Sequence, residues 1–425
     1  MVSRRTVQTR SGVLRADGGA PGVVTAPPAD TDLAAFGSEV DRFLSRNVPH
    51  RGEGHPSRMD RSEILDVHGL ERRPERDAAD AVAEAARWQA ERFDAGLGWI
   101  TGPPAYGGRG LAAEFERLYW EREALYVTPD LTPLNVGTKM LSAAILGHGS
   151  EFVRQELLPA LHRGDLIGCQ LFSEPDAGSD LSAVRSSATL HHGVWELVGE
   201  KVWTSKAQFS DVGLCIARTE AAADPHDGLT MFLVDMHDPG VEVRPLRQMN
   251  GHASFNQVFL DRASVPDSYR LGEVGEGWAV VRTTLMSERA GVGKGAKDPA
   301  ANALSRLLEL VRHGGQRPAA DAVVRQGIAD LYSRVRVADF ASQRAKVTPG
   351  PASSINKLMR SRNLQRASTL AGSVLGARLV ADAGVDQEWA DFVLCVPGAR
   401  VGGGTDEMQL NALAERVLGL PRDPR

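Results

Sequence analysis

Cysteine is scarce in this chain of 425 residues, which contains three: Cys169, Cys215 and Cys395. Their positions lack the spacing of metal ligands, and each lies among apolar residues. A bound metal is therefore not expected. We expect three reduced core residues in a cytoplasmic protein, because reduced cysteines are usual in that compartment.

Long apolar runs and a strong excess of one charge are also lacking. No apolar run reaches the length that spans a membrane, so we expect no membrane span. The first residues, 1–19, carry basic side chains without an apolar region, which is not the pattern of a secretory signal. A formal net charge of −5 gives no reason to expect a nucleic acid partner.

What is present describes a globular protein whose pattern changes along the chain. The hydrophobic fraction of 42% and charged fraction of 24% are typical of soluble domains, and the length allows two or three. Residues 1–30, rich in Gly, Ala, Pro and Arg, are expected to form a mobile tail. Helical periodicity over 31–165 changes to period two over 166–270 and returns over 271–425. We therefore predict an α+β multidomain fold with an N-terminal helical domain, a central β-sheet or barrel domain and a C-terminal helical bundle.

Local signals predict details of the helices. Asp30 or Thr31 is expected to cap the first helix, since both are good N-cap residues. A second amphipathic helix is predicted over 76–95, with these residues inward: Val82, Ala86 and Phe93. On the first helix after the sheet, one face is expected to hold Trp278, Val281, Leu285 and Met286.

The functional argument depends on residues 166–206. Three strands are predicted there: Leu166–Phe172, Trp195–Val198 and Lys201–Ser205. The turn Ser173–Asp180 contains Pro175, which fixes φ, and Gly178, which permits a positive φ, so that amides and hydroxyls can converge. Such a loop beside an aromatic ring suits a flat, polar ligand that carries phosphate. The alternative is an ordinary β-meander with a Gly/Pro turn.

Two motifs in this segment resemble the flavin-binding signature of the acyl-CoA dehydrogenase family. SEPDAGSD at 173–180 matches (T/S)EPxAGSD, and GEKVWTS at 199–205 matches GxKxW(I/T)(T/S). The resemblance runs from about residue 33 to 420 and includes FNQVFLD at 255–261 and GTDEMQ at 404–409. It implies an FAD-dependent oxidoreductase of fatty acid or lipid metabolism, with N-terminal helices, a β domain and a C-terminal four-helix bundle.

The resemblance also implies a set of flavin-binding residues. They are Gln170, Phe172, Ser173, Gly178, Ser179, Trp203, Thr204, Ser205, Thr405 and Glu407. Residues 170–173 would line the flavin ring and Trp203 would stack against it, while the last two lie near the adenosine half. Ser179 is expected to reach the flavin phosphate or the pantetheine of an acyl-CoA. The alternative for Ser173 and Ser179 is that they only cap the turn.

The family reaction needs a base, and here one family position for it is empty. Members remove an α-proton from an acyl thioester with a glutamate, while the β-hydrogen leaves as hydride to the flavin. Many carry that glutamate in a C-terminal YEGT motif, where this chain reads Gly402-Gly403-Gly404-Thr405. Gly403 replaces the glutamate and retains only its amide, which can still serve as a donor to the thioester oxygen.

A second family position for the base is filled. A subset similar to isovaleryl-CoA dehydrogenase places the glutamate before an arginine, on the first helix after the β domain. Glu288 and Arg289 stand at that point. We therefore predict that Glu288 is the catalytic base, with Gly403 as the oxyanion donor. The alternative is that Glu288 and Arg289 are a solvated pair on the helix surface.

Two departures from the family pattern leave other functions open. The family's RxxFG loop is replaced by Arg312–Gly315, and its GGxGY segment by Ala381–Val385. One alternative is a weakly catalytic or non-catalytic subunit of a heteromeric acyl-CoA dehydrogenase. Another is a flavin oxidase or monooxygenase on the same fold.

The expected partners follow from the resemblance and from apolar helices. The substrate is expected to be an acyl-CoA or an acyl-carrier-protein thioester, and the electron acceptor an electron-transfer flavoprotein or a similar protein. Apolar positions such as Leu331, Val335 and Leu375 exceed what one short β domain can cover. A homodimer or tetramer is therefore predicted, with a hetero-oligomer as the alternative.

Overall fold

The structure is a computed structural model that describes most of the chain. The described residues are 14, 32–51, 75–222, 224–291, 298–313, 320–347, 352–381 and 387–421. The predicted mobile tail, residues 1–30, lies outside them except for Leu14. The chain divides into two compact units. The first contains the described residues of 1–48, 75–247 and 253–287, and the second those of 49–74, 248–252 and 288–425. The domain borders expected at 165 and 270 stay predictions.

Helices open the first unit. They are α1 (Leu33–Asn47), α2 (Glu75–Asp94), α3 (Ala113–Glu123), α4 (Ser142–His148) and α5 (Glu151–Arg163). The N-cap of α1 is Asp32, whose side chain accepts from the Ala35 amide, so the expected cap at Asp30 or Thr31 was wrong. A π-helical turn, Val136–Leu141, leads into α4.

The buried face of α2 differs from the predicted one. Val82 is buried as expected, whereas Ala86 and Phe93 are only half-buried. The other buried residues of this helix are Ala85, Trp88, Gln89 and Arg92. From Ala85, the buried residues of α2 follow the spacing i, i+3, i+4 and i+7. Two of them are polar, so a pattern of apolar residues alone does not reveal this face.

A mixed, mostly antiparallel sheet follows the helices. Its strands are β1 (Gly168–Leu171), β2 (Ser187–His191), β3 (Val194–Ser205), β4 (Val212–Arg218), β5 (Leu229–Asp235), β6 (Val241–Leu246), β7 (Phe255–Pro266) and β8 (Arg270–Leu271). The order is β6-β7-β3-β2-β4-β5-β8, with β1 parallel to β4. β4 and β5 are buried almost throughout, and α4 and α5 pack their apolar residues into the same core.

The two strands predicted over Trp195–Val198 and Lys201–Ser205 form the single strand β3. Its pairing with β7 shifts register twice, between Leu197 and Val198 and between Lys201 and Thr204. Gly199 does not end the strand, because it lies where a Cβ would come within 2.1 Å of the Ser186 hydroxyl oxygen. Glycine here serves a close approach and not a turn.

Helix α6 (Gly277–Gly291) begins in the first unit and ends in the second. Val280, Val281 and Thr284 are fully buried. Met286 is 64% exposed, so its expected place on the inward face was wrong. Its neighbour Thr284 takes the inward place and donates its hydroxyl to the Val280 carbonyl, at 2.8 Å.

Helices make up the rest of the second unit. They are α7 (Pro299–His313), α8 (Ala322–Val347), α9 (Ala352–Leu375), α10 (Gln387–Val401) and α11 (Asp406–Arg416). α9 packs against α7, α8, α10 and α11, with Leu364, Ala367 and Phe392 fully buried. The predicted α+β architecture with a C-terminal helical bundle is confirmed. None of the described helices is both long and apolar enough to cross a membrane. All three cysteines are buried, and none forms a disulfide.

Candidate functional site

The turn after β1 is closed by its own backbone. The Glu174 amide donates to the Ala177 carbonyl at 2.9 Å, and the Ala177 amide donates back at 3.1 Å. Gly178 is not among the glycines with positive φ, so the freedom expected of it is not used. A Cβ at Gly178 would meet no atom within 4 Å. The turn therefore owes its shape to the Glu174–Ala177 pairing.

A buried ion pair lies under this turn. Lys201, fully buried on β3, donates from Nζ to Glu174 Oε1 at 2.7 Å, to the Ile216 carbonyl at 2.7 Å and to the Phe172 carbonyl at 3.3 Å. The Glu174 carboxylate also accepts from the amides of Arg185, at 2.6 Å, and Ser186, at 3.0 Å. Burial acts to raise the pKa of Glu174, but the Lys201 charge and these hydrogen bonds hold it below the usual value.

Sequence reasoning missed the Glu174–Lys201 pair. Both residues stand inside the two motifs that carry the family resemblance, as the E of SEPDAGSD and the K of GEKVWTS. The signal was a charged residue in each motif, flanked by residues that pack in a sheet. A lysine and a glutamate that are both buried must pair, which is a stronger inference than the motifs alone supplied.

The second register shift of β3 exposes Trp203. The ladder passes from the pair Lys201–Val258 to the pair Thr204–Asn256, so β3 carries one extra residue there. Trp203 has φ +61 and a side chain 59% exposed. Its ring meets Phe255 edge to face, with centroids 5.9 Å apart. A left-handed backbone is rare for a large residue and costs about 1–3 kcal/mol, and such outliers cluster at functional sites.

The next residue along β3, Thr204, carries a buried hydroxyl with no hydrogen bond to the described residues. Thr204 is 1% exposed, and its Oγ1 has no partner there. The fully buried Asn256 holds the Thr204 carbonyl at 3.1 Å, while its own Oδ1 also lacks a partner among these residues. Buried polar atoms of folded proteins are nearly always satisfied. These two atoms are buried, whereas the Trp203 indole is exposed and can offer a flat face to a ring such as that of FAD.

The other predicted flavin contacts of the first unit have mixed exposure. Gln170 and Ser173 are half-buried and Phe172 is 5% exposed, at the end of β1. The Ser173 carbonyl accepts from the Val202 amide at 2.8 Å, which brings the end of β1 next to the bulge. Ser205 follows Thr204 and is half-buried. Gly178 and Ser179, in the turn after β1, are exposed, and their predicted flavin contacts stay predictions.

The second unit holds the glycine loop and its anchor. Gly403 and Gly404 are exposed and have φ of +67 and +85. Thr405 caps α11, because its hydroxyl accepts from the Met408 amide at 3.1 Å, and Glu407 is exposed in the first helical turn. The cap gives Thr405 a structural role besides the predicted flavin contact.

Asp406 fixes the start of α11 and was not found from the sequence. It is 1% exposed and accepts from Ser361 Oγ at 2.6 Å, Lys357 Nζ at 3.1 Å and Arg400 Nε at 3.0 Å. Burial acts to raise its pKa, but these donors hold the pKa below its usual value. The glycine loop is thus attached to a rigid, charged anchor.

Glu288 lies in the last turn of α6, and its side chain is outside the described residues. The residue before it, Ser287, donates its hydroxyl to the Lys139 carbonyl of the π-helical turn at 2.9 Å. One turn earlier, Thr283 Oγ1 lies 2.8 Å from His148 Nε2. Both contacts lie within the first unit and hold the part of α6 that belongs to it. Most of the Ala381–Val385 segment, residues 382–385, is also outside the described residues.

Two family models match the chain. They are the acyl-CoA dehydrogenase middle domain, over residues 169–263, and the acyl-CoA dehydrogenase C-terminal domain, over residues 275–418. The first covers the sheet with both motifs and the bulge. The second covers α6, the glycine loop and α11.

Curated proteins and solved structures agree with these models. Acyl-CoA dehydrogenase FadE34 of Mycobacterium tuberculosis is 37% identical over 367 residues, which is 85% of this chain and 50% of that protein. The chain thus spans half the length of that relative. Acyl-CoA dehydrogenase IpdE1 of the same organism is 33% identical over 81% of this chain and 90% of its own length. The ChsE4–ChsE5 complex from Mycobacterium tuberculosis has a similar fold, with TM-score 0.68 and 22% identity over 93% of this chain and 100% of that one.

Proposed function

Because the chain belongs to the acyl-CoA dehydrogenase family, whose members are FAD-dependent oxidoreductases, we propose that it introduces an α,β double bond into an acyl thioester. The observation that carries this proposal is the bulge of β3, which exposes the indole of Trp203 through a left-handed backbone. A flat aromatic ring is the ligand that such an exposed indole suits. The relatives are named dehydrogenases, which favours this reaction over that of an oxidase or a monooxygenase.

The residues of the first unit would hold the cofactor. Trp203 would pack its indole against the flat ring, with Thr204 and Ser205 following it along β3. The backbone and hydroxyl groups of Gln170, Phe172 and Ser173 would line the same ring. When bound, FAD supplies the acceptor for the hydride that leaves the β-carbon.

Glu288 is the proposed base. The α-proton passes from the thioester to the Glu288 carboxylate, the β-hydrogen leaves with its electron pair, and a double bond forms between the two carbons. Gly403 has no side chain, so the family's other position supplies no carboxylate. The exposed glycine loop leaves the Gly403 amide available as a donor to the thioester oxygen, which lowers the barrier to α-proton loss.

Glu288→Gln in the FAD-loaded chain tests this assignment. A panel of acyl-CoA thioesters, with acyl-carrier-protein thioesters beside it, is added without oxygen, and bleaching of the flavin band is followed. We expect the parent to bleach, and the variant to bind with a perturbed spectrum but to reduce about 10²-fold more slowly. Glu273→Gln, at an exposed residue before α6, is the matched control and should react like the parent.

The outcomes separate the function from the base. A parent that binds FAD and bleaches with no thioester of the panel rejects the proposed reaction. A Glu288→Gln variant that reduces at the parent rate rejects only Glu288, which would then be a surface charge on α6.

A larger assembly and an electron acceptor complete the proposal. Leu331, Val335 and Leu375 are buried inside the second unit, so the argument for oligomerisation that rested on them was wrong. Other large apolar residues of α8 are exposed instead: Val323, Tyr332, Val337 and Phe340. We propose a dimer or tetramer that covers the part of α8 around Val337 and Phe340, formed with a copy or a related subunit. An electron-transfer flavoprotein or a similar protein would reoxidise the cofactor.

A further inference from the structure

The three N–H donors of Lys201 are all used inside the protein. Its ammonium group, fully buried, donates to Glu174, to the Phe172 carbonyl and to the Ile216 carbonyl. An ammonium group has three donors and no acceptor. Lys201 therefore has no donor left for a ligand, and its function must be exerted through the residues that it holds.

Those residues belong to both halves of the candidate flavin site. Lys201 holds the end of β1 through the Phe172 carbonyl, and the next residue, Val202, holds the Ser173 carbonyl at 2.8 Å. Trp203 and Thr204 follow directly along β3. Two consecutive residues of β3 thus fasten the end of β1, and the second of them, Val202, forms the bulge together with Trp203.

Glu174 extends the same network to a third segment. Its carboxylate accepts from Lys201 and from the amides of Arg185 and Ser186, and its main chain closes the turn with Ala177. Such a network is costly to disturb, because removal of one partner leaves the other charge buried without compensation. It also holds Lys201 in place two residues before Trp203.

The conformation of Trp203 needs support of this kind. A positive φ at a residue with a large side chain persists only where the surroundings enforce it. The register shift gives β3 one extra residue at this point. Lys201 and Thr204 are fixed by their pairing with β7, so Val202 and Trp203 between them must adopt the irregular backbone.

We propose that the buried Glu174–Lys201 pair is a positioning device that holds Trp203 in its left-handed conformation and so sets the surface offered to the flavin. The first part stands on the geometry of this chain alone, and the second rests on the proposed function. Neither residue touches the cofactor in this assignment; both act through Phe172, Ser173 and Trp203.

The experiment compares Lys201→Met, Glu174→Gln and the double variant that combines them. Three quantities are measured: the thermal midpoint of the apoprotein, the acrylamide quenching of Trp203, and the Kd for FAD. Trp203 is the one tryptophan of the seven that is exposed, and all seven are among the described residues, so quenching reports on it. Its signal is isolated by subtracting a Trp203→Phe variant in each background.

The expected results separate the effect of the ion pair on stability from its effect on the position of Trp203. Each single variant should lower the thermal midpoint, since a buried charge is left alone, and the double variant should regain much of the loss. The FAD Kd should stay weakened about tenfold in the double variant, which is the scale of a lost aromatic stack, and the Trp203 quenching constant should stay altered. A double variant that recovers all three parent values would overturn the proposal, because the pair would then only stabilise the fold.

Two further variants keep the test decisive. Glu174→Asp retains the charge pair with a shorter reach, so it should fold and shift both the quenching and the Kd in the same direction by less. If this variant keeps the parent's quenching constant and FAD Kd, the pair does not position Trp203, even if the other variants do not fold.

The Glu39→Gln/Arg109→Met variant is the control for loss of an ion pair. It removes another pair of the first unit, with 2.8 Å between its charged atoms, and should change the thermal midpoint only. If the parent binds no FAD, the proposed function fails while the quenching of the apoprotein still decides the role of the pair.

Discussion

His162 should make the stability of the first unit depend on pH in a defined window. It lies on α5, 4% exposed, with its ring stacked on Trp99 at a centroid distance of 3.5 Å and its Nε2 2.8 Å from Ser142 Oγ. The His162 carbonyl accepts from Gln89. Burial lowers the pKa of His162 from 6.5 to about 3, because the charged ring cannot be solvated there.

The sign follows from linkage. The folded state keeps His162 neutral, while the unfolded chain takes up a proton below 6.5. The contribution to stability is therefore complete above pH 6.5 and is lost as the pH falls below it. Each pH unit below 6.5 removes about 1.4 kcal/mol, so about 2 kcal/mol is gone at pH 5 and about 4 kcal/mol at pH 3, where the folded state begins to take up the proton.

The measurement is urea unfolding of the apoprotein between pH 8 and pH 5, followed by tryptophan fluorescence on the transition that exposes Trp99. Parent, His162→Gln and His191→Gln are compared, the last being an exposed histidine of β2. At pH 8 the His162→Gln variant should be less stable, and its deficit should shrink by about 2 kcal/mol by pH 5. His191→Gln should follow the parent. A deficit of His162→Gln that stays constant across this range would refute the reasoning.

Three further outcomes are expected. Gly403→Glu in the Glu288→Gln background should restore only part of flavin reduction, since a misplacement of about 1 Å can itself cost 10²-fold. Stopped-flow bleaching measures the recovery: full recovery would show that the two positions are equivalent, and no recovery that a glutamate at position 403 cannot act as the base. Trp203→Ala should weaken FAD retention by about 1 kcal/mol or more, measured by equilibrium dialysis, and an unchanged Kd would remove the stacking role. The purified chain should sediment as a dimer or tetramer at micromolar concentration, and Phe340→Asp should shift it toward the monomer; a monomeric parent with FAD bound would contradict the assembly.

Local patterns predicted most elements but not the sheet's contacts. The apolar run Leu166–Phe172 and the helical periodicity on either side of the sheet lead directly to β1 and to the helices, because each signal is complete within a short stretch of chain. β2 was not predicted. Its residues, Ser187–His191, are mostly exposed and polar, and they form a strand only because β3 pairs with them.

The site shows the same division. The motifs predict where a flavin would bind, since their residues are contiguous. They do not predict that Trp203, and not Gly178, has the positive φ, because that depends on the register of β3 against β7. The pairing of Lys201 with Glu174 joins residues 27 apart in the chain, and no local rule brings them together.

The extra residue at the bulge also bears on which changes of length β3 tolerates. Lys201 and Thr204 are three apart and both buried, whereas in a regular strand buried positions are two apart. Removal of Val202 would restore the ordinary alternation and leave the pairs with Val258 and Asn256 unshifted. The sheet could thus lose one residue here without loss of register, and only the projection of the tryptophan and the link to Ser173 would disappear. A deletion at the bulge would therefore change how the Trp203 ring projects from the sheet. A deletion one pair further along β3 would turn every following side chain to the opposite face.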